Sequence, residues 1–163
     1  HYMGLLNSER LNQILEKYDL EVNFYLHAKF QEYADTFKSI SKRIHLISFG
    51  EVAVNEMLMR CRMLITDYSS VCWDILYQDK PSLFYQFDIE KYNEAHGSYI
   101  DMETELFGDR AATQEQLLDY LEETVQNDFH LKPEYEKMRG EYLQFKDHEH
   151  SRHICEEIKK RFH

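Results

Sequence analysis

The hydrophobic positions along the chain follow two spacings, one typical of buried strands and one of amphipathic helices. Short apolar, β-rich runs predict strands at 22–27, 44–47, 63–66 and 82–85. Apolar residues at helical spacing predict helices at 5–18, 52–61, 70–78, 114–126, 133–145 and 150–162, and the polar segment 29–38 also looks helical. Residues 88–112 follow neither spacing and are expected to be partly loop. Strands alternating with helices predict an α/β fold, a Rossmann-like parallel sheet flanked by helices.

Length and composition favour a single domain with a substantial core. The chain has 163 residues, of which 43% are hydrophobic and 14% aromatic, well above the levels of a disordered chain. The predicted organisation is an α/β core over 22–112 followed by a helical C-terminal tail over 113–163. The opening residues 1–3 look like a cloning remnant, so we expect this single domain, residues 1–163, to have been cut from a longer protein.

Charge and cysteine usage exclude several classes of protein. The formal net charge of −11 argues against nucleic-acid binding, which normally requires a basic patch. A phosphorylated small ligand remains compatible with that charge, because a helix N-terminus binds phosphate through its backbone N–H groups. The three cysteines form no CxxC pair, which favours reduced thiols in a cytoplasmic protein over a disulfide framework or a zinc ribbon.

Two candidate phosphate-binding positions follow predicted strands. Ligands of open parallel sheets bind beyond the carboxyl ends of the strands. The segment Thr66–Ser70 joins the third strand to its helix, with Ser69 or Ser70 as the expected N-cap. Several N–H donors there would stay free for an anion, although an ordinary helix cap is the alternative interpretation. His27 ends the first strand and could donate to a phosphate oxygen, or be one of nine histidines in an exposed loop.

Two other features carry no predicted chemistry. His148-Glu149 is followed by His153 at i+5, whereas a helical zinc motif needs the second histidine at i+4, so no metal site is predicted. Cys72 lies inside a predicted helix and is expected to be buried and inert.

A longer motif resembles a known family. Residues 63–71 (MLITDYSSV), then Asp74, Lys80-Pro81 and residues 83–85 (LFY), resemble the pattern "LITDYSSvxxDxxxxxKPxxFY" of the CDP-glycerol glycerophosphotransferase family. Members of that family build teichoic acids and related capsular polymers. Further stretches agree in order: residues 24–27, 97–101, 107–108, 113–118 and 145–154. The resemblance covers nearly the whole chain from about residue 22 onward.

The resemblance implies one half of a two-domain transferase. It is similar to the C-terminal half of a GT-B architecture, the domain that binds a CDP-linked donor. The N-terminal acceptor domain, which would supply the catalytic histidine base, is absent, so this part alone is expected to be inactive. The implied reaction moves glycerol phosphate or a similar polyol phosphate from CDP-glycerol, or a related CDP-polyol, to a teichoic acid or capsular polymer or a lipid-linked acceptor. No cofactor is implied.

The family also implies roles for individual residues. His27 would contact the donor phosphates, and Thr66 would lie beside them. Ser69, Ser70 and the helix N-terminus would grip the pyrophosphate. Asp67 would bind a glycerol hydroxyl or orient the loop, because an acidic side chain suits an anion poorly. The expected location is cytoplasmic, peripheral at the inner face of the cell membrane, although no basic amphipathic stretch is evident in the sequence.

The sequence departs from the family pattern at two positions. His96 and His153 stand where the family usually has arginine, the natural clamp for phosphate. Two other hypotheses stay open, the second of which these departures and the acidic surface motivate. One is a GT-B glycosyltransferase domain that uses a nucleotide-sugar, and the other is a non-catalytic module with the same fold.

Overall fold

The fold is given by a computed structural model, which describes residues 1–27, 37, 41–97 and 100–162. The helices are α1 (Tyr2–Leu6), α2 (Glu9–Lys17), α3 (Val54–Arg60), α4 (Cys72–Tyr77), α5 (Ile89–Ala95), α6 (Gln114–Gln126), α7 (Pro133–Tyr142) and α8 (His150–Phe162). The strands are β1 (Val22–Tyr25), β2 (Ile44–Ile47), β3 (Leu64–Thr66), β4 (Ser82–Tyr85) and β5 (Asp109–Ala111). The helix expected at 29–38 falls almost wholly outside the described residues, as do residues 98 and 99 of the family motif.

All strand pairs are parallel, which confirms the predicted α/β class. The strands form two groups rather than one continuous ladder: β1 pairs with β2, and β4 lies between β3 and β5. Both groups pack on one hydrophobic core, since Val22 and Ile44 contact the same cluster as Leu83 and Tyr85. Helices α2 and α6 cover that core with buried leucines. Every residue of β4 is buried, as expected of a strand with neighbours on both sides.

The first predicted helix is two helices. A break at residues 7 and 8 separates α1 from α2, where the Ser8 hydroxyl accepts a hydrogen bond from the Leu11 amide at 3.3 Å and caps α2. Periodicity alone runs through this break, because Leu5 is buried in the same core cluster as Leu11. The prediction of one helix over 5–18 is therefore wrong at its start.

The segment 88–112 is more ordered than predicted. It contains the helix α5 and the strand β5. Neither shows a clear apolar period: α5 buries no residue, and β5 buries only Ala111. Before β5, a Cβ atom added to Gly108 would lie 2.1 Å from the Ser82 carbonyl oxygen of β4, so only glycine allows this approach.

The three C-terminal helices exist as predicted. The bounds of α6 and α8 are those predicted from the sequence, and Thr113 caps α6 in a capping box with Gln116. Helix α7 ends at Tyr142, three residues earlier than expected. Helix α8 buries none of its residues, and the exposed fractions of Ile154, Ile158 and Phe162 are 60%, 51% and 79%.

Candidate functional site

Chemically active side chains gather where the parallel strands end. Leu26 and His27 follow β1, Asp67 follows β3, and Gln86 follows β4. Because the strands within each group run in one direction, their carboxyl ends share an edge. This is the edge at which open α/β sheets bind ligands.

Asp67 organises the loop after β3. Its Oδ1 accepts a hydrogen bond from the Tyr68 amide at 2.6 Å, its Oδ2 accepts one from the Tyr2 hydroxyl at 2.9 Å, and its backbone carbonyl accepts one from Gln86 Nε2 at 3.0 Å. All three donors are neutral groups of the protein. Of the two roles that the sequence left open for Asp67, these contacts support orientation of the loop.

Tyr2 connects the two strand groups at this edge. Its ring lies 6.0 Å from that of Phe24 on β1, 5.9 Å edge-on from Tyr85 on β4 and 5.7 Å from Phe87 beyond β4. Burial raises the pKa of the Tyr2 hydroxyl far above its ordinary value, and the charge of Asp67 raises it further. The hydroxyl therefore remains a hydrogen-bond donor at physiological pH.

The loop is also tied to α5. The Tyr68 hydroxyl donates to Asp88 Oδ1 at 2.8 Å, and its ring stacks on Tyr92 of α5 with 3.6 Å between centroids. Burial and the bond to Asp88 raise the pKa of Tyr68. The side chain of Gln86 is fully buried, and its Oε1 has no hydrogen-bond partner among the described residues. The loop after β3 is thus held by hydrogen bonds from Tyr68 to Asp88 and from Gln86 to the Asp67 carbonyl.

Ser69 and Ser70 are exposed but do not cap the helix. The N-cap of α4 is Val71, and no side chain bonds the first turn. Instead the carbonyls of Ser69 and Ser70 accept the amides of Cys72 and Trp73 at 3.3 and 3.1 Å, which makes the first turn tight. The capping prediction is wrong because α4 begins at Cys72, so that Val71 occupies the N-cap position and both serines precede it. Among the described residues, the amides of Ser69, Ser70 and Val71 have no protein acceptor.

The other two predicted site residues lie at the same edge of their strands. Thr66 is the last residue of β3 and pairs in register with Phe84. His27 is exposed and lies two residues beyond β1, after the buried Leu26, whose amide bonds the Ile47 carbonyl at 3.2 Å. The assignment of His27 and Thr66 to a ligand stays a prediction.

The two histidines in place of arginine have different surroundings. His96 is the C-cap of α5, and its ring stacks on Tyr92 at 5.3 Å. Since Tyr92 also stacks on Tyr68, His96 ends a row of rings that begins in the loop after β3. His153 instead stacks on Phe145 at 4.0 Å and bonds Asp147 at 2.9 Å, a hydrogen bond that lowers the pKa of that carboxyl.

Two further motif residues serve the structure. Lys80 Nζ donates to the carbonyls of Leu58 and Met59 at 2.7 and 2.9 Å, which caps the C-terminal end of α3. Cys72 is buried, as predicted, and burial raises the pKa of its thiol to about 11, which disfavours the reactive thiolate. Part of the family motif therefore encodes packing rather than ligand contact.

Within the part of the chain that the structure describes, no three His, Cys, Asp or Glu side chains are arranged to hold a metal ion. Among the same residues, no helix combines the length and apolar character needed to cross a bilayer.

Sequence reasoning missed Tyr2, Gln86 and Asp88. The signal for Gln86 was present, because it follows β4 as Asp67 follows β3, and a polar residue after a buried strand marks this edge. Tyr2 gave no such signal, since it lies 65 residues from its partner Asp67 in the sequence.

Comparison with known families gives one match over nearly the full chain. The model of the family described as CDP-Glycerol:Poly(glycerophosphate) glycerophosphotransferase matches residues 1–160. The segment that sequence analysis interpreted as a cloning remnant therefore falls within the matched range.

Curated relatives and solved structures agree with this match. The chain is 25% identical over 148 residues to the minor teichoic acid biosynthesis protein GgaB of Bacillus subtilis, covering 90% of this chain and 16% of that protein. It is 27% identical over 146 residues to a teichoic acid glycerol-phosphate transferase of Staphylococcus aureus, covering 86% of this chain and 34% of that protein. A structure of the wall teichoic acid polymerase TagF aligns with a TM-score of 0.54 at 19% identity, covering 95% of this chain and 49% of that one. This likeness confirms the fold, and the chain spans at most about half of each of these proteins.

Proposed function

This chain belongs to the CDP-glycerol:poly(glycerophosphate) glycerophosphotransferase family, and from that premise we propose that it is the donor-binding domain of a polyol-phosphate transferase. The donor is CDP-glycerol or a related CDP-polyol, and the acceptor is a growing teichoic acid or capsular polymer, or its lipid-linked start. The observation that supports donor binding is the exposed loop at Ser69 and Ser70, at the carboxyl edge of the sheet, whose amides and hydroxyls have no partner within the described part of the chain.

The loop has the donors that a pyrophosphate needs. Among the residues that the structure describes, the three successive amides of residues 69–71 have no protein acceptor, and two serine hydroxyls lie beside them. Successive backbone N–H groups in a turn can form an anion-binding concavity without any cationic side chain. That property reconciles phosphate binding with a net charge of −11. In this proposal His27 and Thr66 complete the contacts to the donor phosphates.

In the proposed reaction an acceptor hydroxyl oxygen attacks the phosphorus that carries glycerol, and the bond from that phosphorus to the CMP oxygen breaks. Negative charge then develops on the departing CMP phosphate. Donors already fixed beside that phosphate stabilise the charge without reorganising, which is the main way in which protein dipoles lower such barriers. The acceptor proton passes to a base that we expect in the domain preceding this one, so this domain alone binds donor without turnover.

The decisive experiment is calorimetric titration of the chain with CDP-glycerol, CMP and UDP-glucose. We expect selective binding of CDP-glycerol, and we expect Ser69→Ala with Ser70→Ala to weaken it about tenfold or more, equivalent to about 1.4 kcal/mol. The matched control is Ser151→Ala, an exposed serine on α8, which should bind as the parent does. Equal binding by the double variant would refute the site. Preference for UDP-glucose would indicate a glycosyltransferase domain, and no binding of any compound would indicate a non-catalytic module.

We also propose peripheral attachment to the inner face of the cell membrane, with α8 as the contact. The sequence pattern predicted no basic amphipathic stretch, but in the structure Ile154, Ile158 and Phe162 are exposed on one side of α8. The last turn of the same helix carries Lys159, Lys160 and Arg161. Apolar residues beside basic ones suit an anionic lipid surface. Vesicles of phosphatidylglycerol should co-sediment with the chain, and Ile158→Glu should abolish this while the control Phe49→Glu, at another exposed apolar site, should not. Equal sedimentation of the two variants would exclude α8 as the contact.

A further inference from the structure

Tyr2 carries a role that neither the family motif nor the sequence assigns. We propose that Tyr2 is a positioning residue, which acts through Asp67 to hold the loop at residues 67–71 in its ligand-binding shape. The inference rests on the proposed donor site and adds to it a residue that lies 65 positions from Asp67 in the sequence.

The contact between Tyr2 and Asp67 has the geometry of a fixed brace. The hydroxyl donates to Oδ2 at 2.9 Å, while Oδ1 of the same carboxylate accepts the Tyr68 amide at 2.6 Å. A carboxylate held at one oxygen can rotate, whereas one held at both has a defined plane. The position of the Tyr68 amide, which directly precedes the amides of residues 69–71, therefore depends on where Tyr2 holds Asp67.

The ring of Tyr2 has little freedom to move. It packs against Phe24 of β1 and edge-on against Tyr85 of β4, with ring centroids 6.0 and 5.9 Å away. Its neighbour His1 stacks on Phe87 at 4.0 Å, which anchors the start of α1 to the same edge. Aromatic groups packed in this way carry a hydroxyl at a defined point. Tyr2 thus transmits the position of both strand groups to the loop.

The chain provides a matched control for this contact. Tyr135 also donates its hydroxyl to an aspartate, Asp109 Oδ1, at 2.9 Å, but Asp109 begins β5 and so lies at the amino edge. Tyr2→Phe and Tyr135→Phe each remove one hydroxyl from the same type of bond and keep the ring. A difference between them in ligand binding reports position in the molecule rather than loss of a tyrosine–carboxylate bond.

The test is a double-mutant cycle on the dissociation constant for CDP. CDP lacks glycerol, so a direct contact between Asp67 and a glycerol hydroxyl does not enter the result. We expect Tyr2→Phe to weaken CDP binding about tenfold in the parent, and less than about twofold in an Asp67→Asn background, because residues that act through one another are non-additive. Tyr135→Phe should leave CDP binding unchanged. An equal loss from Tyr2→Phe in both backgrounds, or no loss in the parent, would overturn the inference.

A second measurement separates this inference from the donor proposal. Hydrogen exchange of the Tyr68 amide, measured without ligand, should be about tenfold faster in Tyr2→Phe than in the parent or in Tyr135→Phe, because the brace on its acceptor is lost. If the parent binds no CDP, the donor proposal fails, and exchange alone decides the role of Tyr2. Unchanged exchange in Tyr2→Phe would show that the loop does not depend on it.

Discussion

Each edge of the β3–β4–β5 group has a hydrogen bond from a tyrosine hydroxyl to an aspartate, but the two aspartates have different surroundings. At the amino edge, Asp109 accepts the Tyr135 hydroxyl at 2.9 Å and also pairs with Lys132 at 2.9 Å, so its charge is neutralised. At the carboxyl edge, Asp67 accepts the Tyr2 hydroxyl at 2.9 Å, and its partners among the described residues are all neutral donors.

The difference shows how one fold separates stability from function. The amino edge is closed by contacts between side chains and by the approach of Gly108 to the Ser82 carbonyl. The carboxyl edge holds its loop through the contacts of Asp67 yet leaves Ser69 and Ser70 exposed, with amides unpaired among the described residues. Changes at the amino edge should therefore cost stability, and changes in the exposed loop should cost binding alone.

The largest effect is expected at the amino edge from Gly108→Ala. The added Cβ would meet the Ser82 carbonyl oxygen at 2.1 Å and a ring carbon of Phe84 at 2.9 Å, so β4 and β5 would have to separate. We expect a loss of about 3 kcal/mol or more in the free energy of unfolding, at the upper end of overpacking costs. Urea denaturation measures it. Gly140→Ala, where a Cβ meets nothing within 4 Å, is the control and should be neutral or slightly stabilising.

The reactivity of Cys72, the first residue of α4, measures how well the region next to the loop after β3 excludes solvent. The raised pKa of about 11 leaves about a hundredfold less thiolate near pH 8 than an ordinary cysteine has, and burial slows attack further. In labelling with a disulfide reagent, Cys155, which is exposed on α8, should react at once, and Cys72 at least about a hundredfold more slowly. Similar rates for the two thiols would mean that the loop opens readily, and would weaken the contrast between the edges.

A smaller loss of stability is expected from Lys132→Met. The substitution keeps the apolar stem but leaves Asp109, whose side chain is only 14% exposed, without its cation. We expect a cost of about 1 to 2 kcal/mol, between the values for exposed and for buried ion pairs. Thermal unfolding at pH 7 measures it, and Lys137→Met on the exposed side of α7 should have no measurable effect.

The same pair predicts a pH dependence. Burial opposes the charge of Lys132, but hydrogen bonds to Asp109 and Glu123 outweigh it and raise the pKa above the ordinary 10.5. A raised folded-state pKa gives stability that is fully present below the unfolded pKa and is lost as pH rises through the folded one. The parent should thus lose its advantage over Lys132→Met above about pH 10.5. An advantage that persists unchanged through pH 12 would contradict this.

The smallest effect on stability is expected from Ser69→Ala with Ser70→Ala. Neither hydroxyl caps α4, so the free energy of unfolding should match that of the parent within roughly 0.5 kcal/mol, as is typical of surface substitutions. By contrast Thr113→Ala, which removes a capping box from α6, should cost about 1 kcal/mol. Equal losses of unfolding free energy in the two variants would mean that the serines support the helix. The proposed contrast, with stability at the amino edge and binding at the carboxyl edge, would then be wrong.

The sequence by itself determined the features that depend on neighbours along the chain. The alternation of strands and helices, the bounds of α6 and α8 and the loop after β3 all followed from local periodicity, capping residues and a long motif. The sequence did not predict α5 or β5, because α5 buries no residue and β5 is only three residues long, so neither has a clear apolar period.

Only the tertiary structure decided which of these residues act together. In the structure, Tyr2 bonds Asp67, which lies 65 positions away in the sequence, and Val71 rather than Ser69 or Ser70 is the N-cap of α4. The apolar residues Ile154, Ile158 and Phe162 of α8 are exposed. Such contacts depend on how strands and helices pack in three dimensions, and a one-dimensional pattern carries no term for distances between distant segments. For this protein the sequence therefore located the loop, and packing determined what holds it.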